Sequence, residues 1–171
     1  MSDFEQLVRP YKGSDKPGEF CAWLASSLSL VRDYLQMETG IASYIVDNNY
    51  SIVAVDSAMD GVFSAGMEYP LESTYCAAVF SRQETVTYDH VGEIESMLQH
   101  PVYLAVKLES YIASPVKSNT GKVIGTINFT SLDPHAGPFS DEHKALVEYL
   151  AEAVSEHLEL YTRCFKDIPP H

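Results

Sequence analysis

The chain has 171 residues, and its 11 Lys and Arg against 24 Asp and Glu give a formal net charge of −13. A hydrophobic fraction of 46% supports one packed domain at this length and excludes a disordered protein. Because the basic residues are scattered singly, neither nucleic acid nor a membrane surface is expected as a partner. The apolar runs are too short for a membrane span, and the first residues lack the layout of a signal peptide.

Three cysteines, Cys21, Cys76 and Cys164, give an odd count with no CxxC pair. This pattern fits neither a disulfide framework nor a zinc knuckle. We therefore predict reduced thiols that pack mainly as small hydrophobic side chains, as is usual in the cytosol. A cytoplasmic location is the expectation that follows.

The first long element is a helix. Residues 1–16 are polar and predict a lead-in of short helix and loop, and residues 17–38 then show helical periodicity. Asp15 is placed to cap the first turn, and Gly40 fits the position just past the end. The apolar side chains fall on one stripe: Phe20, Trp23, Leu24, Leu28, Val31, Tyr34 and Leu35.

Runs of β-branched residues then predict strands. A hairpin is expected over residues 41–47 and 50–57, because Asp47 and Asn48 accept left-handed backbone angles. Three further elements follow in chain order: a short helix over residues 74–80, a strand over residues 85–88, and two short helices between residues 92 and 106 that Pro101 separates.

The clearest local signal is a second hairpin, with strands over residues 110–117 and 121–131. Asn119 and Gly121 turn the chain between them. Pro115 lacks an N–H donor, so its strand is expected at a sheet edge or at a bulge. Alternation along the second strand predicts four side chains on one face: Ile124, Thr126, Asn128 and Thr130.

A final helix begins after Ser140, which is a suitable N-cap residue. His143 and His157 lie on this helix and are expected to face solvent. Residues 17–163 form a single domain in this prediction, and residues 164–171 form a flexible tail. The helix carries an apolar stripe: Leu146, Val147, Leu150, Val154, Leu158 and Tyr161.

The order of the elements is long helix, hairpin, short helices, hairpin and long helix. This order predicts one α+β domain built on a central antiparallel sheet of five or six strands. The long N- and C-terminal helices are expected on one face of the sheet, and the short helices and loops on the other.

Five stretches of the chain carry distinctive motifs: residues 74–76 (TYC), 100–101 (HP), 110–116 (SYIASPV), 121–129 (GKVIGTINF) and 138–142 (PFSDE). These stretches resemble those of GAF domains, especially the GAF domains of bacterial two-component sensors, and they keep the family's order and spacing. The resemblance covers about residues 17–160. It implies a ligand cavity over one face of the sheet, frequent dimerisation through the terminal helices, and a regulatory role.

Eight residues are candidates for contacts with a ligand in such a cavity. Tyrosines offer aromatic walls with hydrogen-bonding tips, and the polar strand residues add further partners. The alternative is that the tyrosines only bridge core and surface. The candidates are Tyr75, Cys76, Tyr88, His90, Tyr103, Tyr111, Asn128 and Thr130.

The cysteines and histidines leave the cofactor open. Cys76 begins a short helix, whose dipole would lower a thiol pKa, but the alternative is a buried helix residue. GAF proteins that reduce free methionine sulfoxide use cavity cysteines, whereas Cys21 and Cys164 lie in the terminal helices. Covalent bilin attachment is not expected, because neither His90 nor His100 has a neighbouring cysteine. No ligand-spaced cluster predicts a metal site, and no catalytic motif is present.

The first hypothesis is a small-molecule-sensing regulatory module whose output passes to a protein partner. The second is a ligand-free dimerisation or scaffold module, and thiol-dependent reduction of free methionine sulfoxide is a minor third. Neither the fold nor the resemblance to the family selects among these three hypotheses.

Overall fold

The computed structural model describes residues 3–59 and 61–166. Residues 1–2 of the predicted lead-in and residues 167–171 of the predicted tail lie outside this described part. Within it, no helix combines the length and the apolar character needed to cross a bilayer.

The described strands form one antiparallel sheet, as predicted. They are β1 (Thr39–Val46), β2 (Asn49–Ser57), β3 (Glu68–Pro70), β4 (Val86–Tyr88), β5 (Ser110–Lys117) and β6 (Val123–Ser131). Their spatial order is β3-β2-β1-β6-β5-β4. The sequence does not predict β3, because its three residues are held only by pairing with the start of β2.

The helices divide between the two faces of the sheet, which confirms the predicted layers. On one face the terminal helices share a core with the sheet: α2 (Pro17–Leu35), α5 (Asp141–Ser155) and α6 (Leu158–Lys166), with α1 (Asp3–Leu7) at its margin. On the other face lie α3 (Cys76–Arg82), α4 (Pro101–Val106) and short 3₁₀ turns.

Strand alternation separates the two cores. In β6, Ile127 and Phe129 pack under the terminal helices, while Asn128 faces the other side. Ile124 was predicted on the same face as Asn128, and this is wrong, since it packs with the terminal-helix core. The reason is a bulge: the β5–β6 pairing passes from Gly125 directly to Val123 and leaves Ile124 as the extra residue.

Both predicted hairpins are present. Asp47 and Asn48 have φ of 51° and 61°, as a tight turn between β1 and β2 requires. Pro115 pairs with Thr126 of β6 and lies beyond the end of β4, whose pairing stops at Ala113. The missing N–H of Pro115 therefore costs no hydrogen bond between β5 and β4.

The ends of α2 differ from the prediction. Lys16 is the N-cap residue, and no side chain, including that of Asp15, caps the first turn. The helix ends at Leu35, and Gln36 takes the left-handed conformation at φ 55°. Gly40 instead belongs to β1, where a Cβ would lie 2.7 Å from the Phe129 ring. That glycine is needed for close packing in the sheet rather than for helix termination.

The final helix begins as predicted but is broken in two. The Ser140 hydroxyl accepts a hydrogen bond from the His143 N–H at 3.1 Å, and His143 Nδ1 accepts one from the Ser140 N–H. The two residues form a capping box, and His143 is half-buried. His157 sits at the break, and its ring packs 5.2 Å from that of Tyr11. The prediction that both histidines face solvent is therefore wrong.

Cys21 and Cys164 form a disulfide that joins α2 to α6, with a Cα–Cα distance of 6.1 Å. This corrects the prediction of three reduced thiols. Counting cysteines could not find the pair, because its members lie 143 residues apart and meet only where the terminal helices pack together. Helix α6 runs to Lys166, so residues 164–166 of the segment predicted as a tail are helical.

The disulfide should contribute measurably to stability. The double variant C21S/C164S is expected to lose about 2–4 kcal/mol of unfolding free energy, because the bond restricts a long loop in the unfolded chain. Urea unfolding followed by circular dichroism measures this loss. A reductant should destabilise the parent protein and leave the double variant unchanged; equal stability of parent and variant would contradict the prediction.

Candidate functional site

A cavity of about 300 Å³ lies between the sheet and the segments that cover it, among the described residues. Its walls are largely apolar, with contributions from Ile41, Ile52, Val62, Phe63, Val102 and Val106. Pro101 and Ala105 of α4 also line it and are exposed, so the cavity reaches the surface beside this helix. Such an apolar concave space of this size is typical of small-ligand sites.

Strand alternation and the start of one short helix supply five polar residues of the lining. Asn128 and Thr130 are two residues apart on β6 and point to the same face, and Tyr111 lies opposite Thr130 on β5. Tyr75 and Cys76 come from the start of α3. These are five of the eight candidate residues from the sequence, and the fold brings them around one cavity.

Cys76 is the centre of a buried polar network. The Tyr111 hydroxyl donates to its sulfur at 3.0 Å, and the Asn128 amide nitrogen lies 3.4 Å from it. Thr126 Oγ1 lies 3.2 Å from the same sulfur, and the Asn128 amide also donates to the Tyr50 hydroxyl at 3.0 Å. The sequence reasoning did not select Thr126 or Tyr50, although the alternation of β6 already put Thr126 on this face.

The environment of Cys76 keeps it protonated. Burial raises the pKa of its thiol, and the hydrogen bonds from Thr126 and Tyr111 lower the pKa only in part. The sequence-based idea that the helix dipole activates this thiol is therefore not supported by its surroundings. Cys76 is the free cysteine of the described residues, and no second thiol lies beside it.

Thr130 differs from the other polar residues of the lining. It is 4% exposed, and its hydroxyl has no hydrogen-bond partner among the described residues. A buried polar group without a partner costs about 1–3 kcal/mol, so folded proteins rarely keep one without a reason. Thr130 is thus a lining residue of the cavity whose hydroxyl lacks a hydrogen-bond partner among the described residues.

Three candidate residues lie behind the wall rather than in it. The ring of Tyr88 packs 5.6 Å from Tyr75 and 5.8 Å from Tyr111, so Tyr88 supports two lining side chains. His90 approaches Glu109 at 3.8 Å, and the Tyr103 hydroxyl donates to the same carboxylate at 2.9 Å. Strand and helix spacing could not separate these residues from the lining, because the difference depends on loop paths.

Glu109 is a residue that the sequence reasoning missed. One carboxylate oxygen accepts a bond from the Gly92 N–H at 2.7 Å, and the other accepts the bond from Tyr103 on α4. Through these contacts the residue just before β5 fixes two of the segments that cover the cavity. Nothing in its local sequence distinguishes Glu109 from a solvated surface acid.

The described lining of the cavity carries no formal charge. No charged side chain is among its described lining residues. Burial raises the pKa of Tyr50, Tyr75 and Tyr111, and burial lowers the pKa of His100, which packs against Tyr75. All four groups are therefore uncharged near neutral pH. Across the described residues, no group of three His, Cys, Asp or Glu could hold a metal ion.

The buried tyrosines predict a loss of stability in alkali. Burial raises the pKa of Tyr50, Tyr111 and Tyr161 well above the ordinary value of about 10. Above that pH the unfolded chain loses phenol protons that the folded chain keeps. The free energy of unfolding should therefore fall by up to about 1.4 kcal/mol per pH unit for each buried tyrosine.

Urea unfolding between about pH 8 and about pH 11, together with tyrosinate absorbance, measures this decline. Tyr161→Phe removes one buried phenol and should make the decline shallower, whereas the same change at half-exposed Tyr34 should not. Stability that stays level through this range would contradict the prediction.

Comparison with solved structures finds the same fold at low identity. A GAF domain of an Acinetobacter phosphoenolpyruvate-protein phosphotransferase aligns at TM-score 0.72 and 16% identity, covering 99% of each chain. Free methionine-R-sulfoxide reductase from Neisseria meningitidis, in complex with its substrate, aligns at TM-score 0.68 and 14% identity, covering 94% of this chain and 86% of that one.

A bacteriophytochrome chromophore-binding domain from R. palustris aligns at TM-score 0.70 and 13% identity, where this chain spans 60% of the other's length and 94% of its own. At these identities the likeness shows the fold alone.

No curated protein sequence matches the chain. The GAF domain family model matches residues 24–159, which include the sheet, the cavity lining, most of α2 and all of α5. The chain therefore belongs to the GAF domain family.

Proposed function

We propose that this chain is a small-molecule-sensing regulatory module in signal transduction, which binds its ligand in the cavity and acts through a protein partner. The observation that carries the proposal is a cavity of about 300 Å³ whose lining includes Thr130, a residue with an unpartnered hydroxyl. A ligand would give that hydroxyl the hydrogen bond that the described residues do not provide. Two of the structural relatives are named for molecules that they hold, a chromophore and a substrate.

A chain of hydrogen bonds offers a route from the cavity to the terminal helices. Thr126 Oγ1 contacts Cys76 on the cavity side and the Ser43 hydroxyl, at 2.7 Å, within the sheet. On the opposite face, the Tyr161 hydroxyl of α6 donates to the Ser43 carbonyl at 2.5 Å. A ligand that moves Cys76 or Thr126 would therefore act on the anchor of α6.

Partner contacts belong to the same proposal. Leu30 and Tyr34 lie one turn apart on α2 and are 45% and 44% exposed, which supports homodimerisation through the terminal helices. The same pair of residues favours the second candidate function, a scaffold module that dimerises without a ligand. Ligand binding distinguishes the two candidates.

A cytoplasmic location is also proposed, and the disulfide gives it a direct test. Disulfides are rare in the reducing cytosol, so the Cys21–Cys164 bond bears against this location, which requires the pair to be reduced in unstressed cells. Rapid alkylation of thiols in host cells, followed by mass spectrometry, should find these two cysteines mainly as free thiols. A persistent disulfide in unstressed cells would point to an oxidising compartment.

The sensing proposal predicts that blocking the mouth of the cavity abolishes ligand binding. Ala105→Trp places a large ring at an exposed lining position of α4, so the fold should tolerate it. Leu104→Trp is the matched control, because Leu104 is 55% exposed on the same helix and does not line the cavity.

Thermal-shift screening of extracts and metabolites of the host should find compounds that stabilise the parent and the Leu104→Trp control but not Ala105→Trp. A compound at a hundredfold excess over its Kd adds about 2.7 kcal/mol of stability. If no compound stabilises the parent while the protein is a dimer in solution, the scaffold function replaces the sensing function.

The enzymatic alternative rests on the structural likeness to free methionine-R-sulfoxide reductases. Against it stand the protonated state of Cys76 and the pairing of Cys21 with Cys164 on the far side of the sheet. We expect no turnover of free methionine sulfoxide with a dithiol reductant, and no difference between the parent and Cys76→Ser. Turnover that disappears in Cys76→Ser would establish the enzyme instead.

A further inference from the structure

We infer that the ligand of this cavity is an uncharged, mainly apolar molecule of about the size of a fused two-ring compound, with one hydrogen-bonding group placed against the Thr130 hydroxyl. The inference rests on the proposed function, because it assumes that the cavity holds a ligand. It goes further by assigning the charge, the size and the polar contact of that ligand.

The charge follows from the lining. None of its described residues carries a formal charge, and the walls are mostly aliphatic and aromatic. An anionic or cationic ligand would leave water without meeting an opposite charge, and such desolvation is costly. A site for a phosphate or a carboxylate usually offers an arginine or a lysine, and neither lines this cavity.

The titratable groups of the lining do not change this conclusion. Tyr50, Tyr75, Cys76 and Tyr111 all have their pKa raised by burial, so they remain neutral. Glu109 lies nearby, but its two oxygens already accept bonds from the Gly92 N–H and from the Tyr103 hydroxyl. Both carboxylate oxygens of Glu109 are therefore engaged in hydrogen bonds within the protein, behind the cavity wall.

The position of the proposed polar contact follows from the hydrogen bonds of the buried lining groups. The Tyr75 hydroxyl donates to the Leu108 carbonyl at 2.8 Å, and the Tyr111 hydroxyl donates to the sulfur of Cys76. The Asn128 amide nitrogen contacts Tyr50, Cys76 and Thr126. Among the buried lining groups, Thr130 thus remains with an unpartnered hydroxyl, which can either donate or accept.

The size follows from the volume. A cavity of about 300 Å³ holds roughly ten water molecules at the volume of about 30 Å³ that each occupies in the liquid. A fused two-ring molecule with a short substituent fits this space. The aromatic rings of Tyr75, Tyr111 and Phe63 offer faces and edges for such a ring.

Three probes of matched shape test the charge. Indole-3-acetamide is neutral, indole-3-acetate is its anionic counterpart, and tryptamine is a cationic one. Isothermal titration calorimetry at neutral pH should find binding of the acetamide at least tenfold tighter than that of either ion. Tighter binding of the acetate or of tryptamine would overturn the inference and leave the sensing function intact.

Two variants test the polar contact. Thr130→Val keeps the shape and removes the hydroxyl, and it should fold at least as stably because that hydroxyl has no partner among the described residues. It should weaken acetamide binding about tenfold, whereas Thr87→Val on β4, outside the lining, should not. If both variants weaken acetamide binding equally, or if Thr130→Val does not weaken it, the assignment of Thr130 is overturned.

Two further outcomes separate this inference from the proposed function. If the acetamide does not bind at millimolar concentration but a host metabolite binds in a way that Ala105→Trp abolishes, the ligand class is wrong and the sensing function stands. If neither the probes nor any metabolite binds, both fail.

Discussion

Burial of the central strands on both faces is the constraint from which the rest of the structure follows. Successive residues of β6 enter different environments: Ile127 and Phe129 complete the core under the terminal helices, whereas Thr126 and Asn128 face the cavity side. A single strand therefore supplies both the apolar core and the polar floor of the site. A slip of one residue would exchange the two sets, and the apolar side chains would then fill the cavity.

Gly125 and Ser43 show how closely the two halves of the sheet are joined. A Cβ on Gly125 would overlap the Ser43 carbonyl oxygen, so β1 and β6 approach each other in a way that only glycine permits. The β1–β2 pairing is irregular at Ser43, and the carbonyl of this residue accepts its bond from Tyr161 of α6. The bulge thus gives the sheet a polar anchor for the last helix, directly behind the floor of the cavity.

The two faces of the sheet are stabilised by different means. The terminal-helix face combines an extensive apolar core with the Cys21–Cys164 disulfide, which holds the ends of the described fold together. The cavity face has a smaller apolar core, and its covering segments are also held by single polar contacts such as those of Glu109. Elements with few buried contacts open at lower free energy than a core does. The covering segments are therefore expected to open more readily than the terminal-helix face.

The sequence by itself determined the fold class, the two hairpins and the division of helices between the faces, because these depend on periodicity and turn residues that are local. It also placed Asn128 and Thr130 on one face, since alternation is a local rule. The tertiary structure alone decided the Cys21–Cys164 pair, the displacement of Ile124 by a bulge, and the position of Tyr88, Tyr103 and His90 behind the cavity wall. Each of these features depends on how segments that are distant in the chain pack together. The hydrophobic pattern is a local property, so it does not show which distant segments meet.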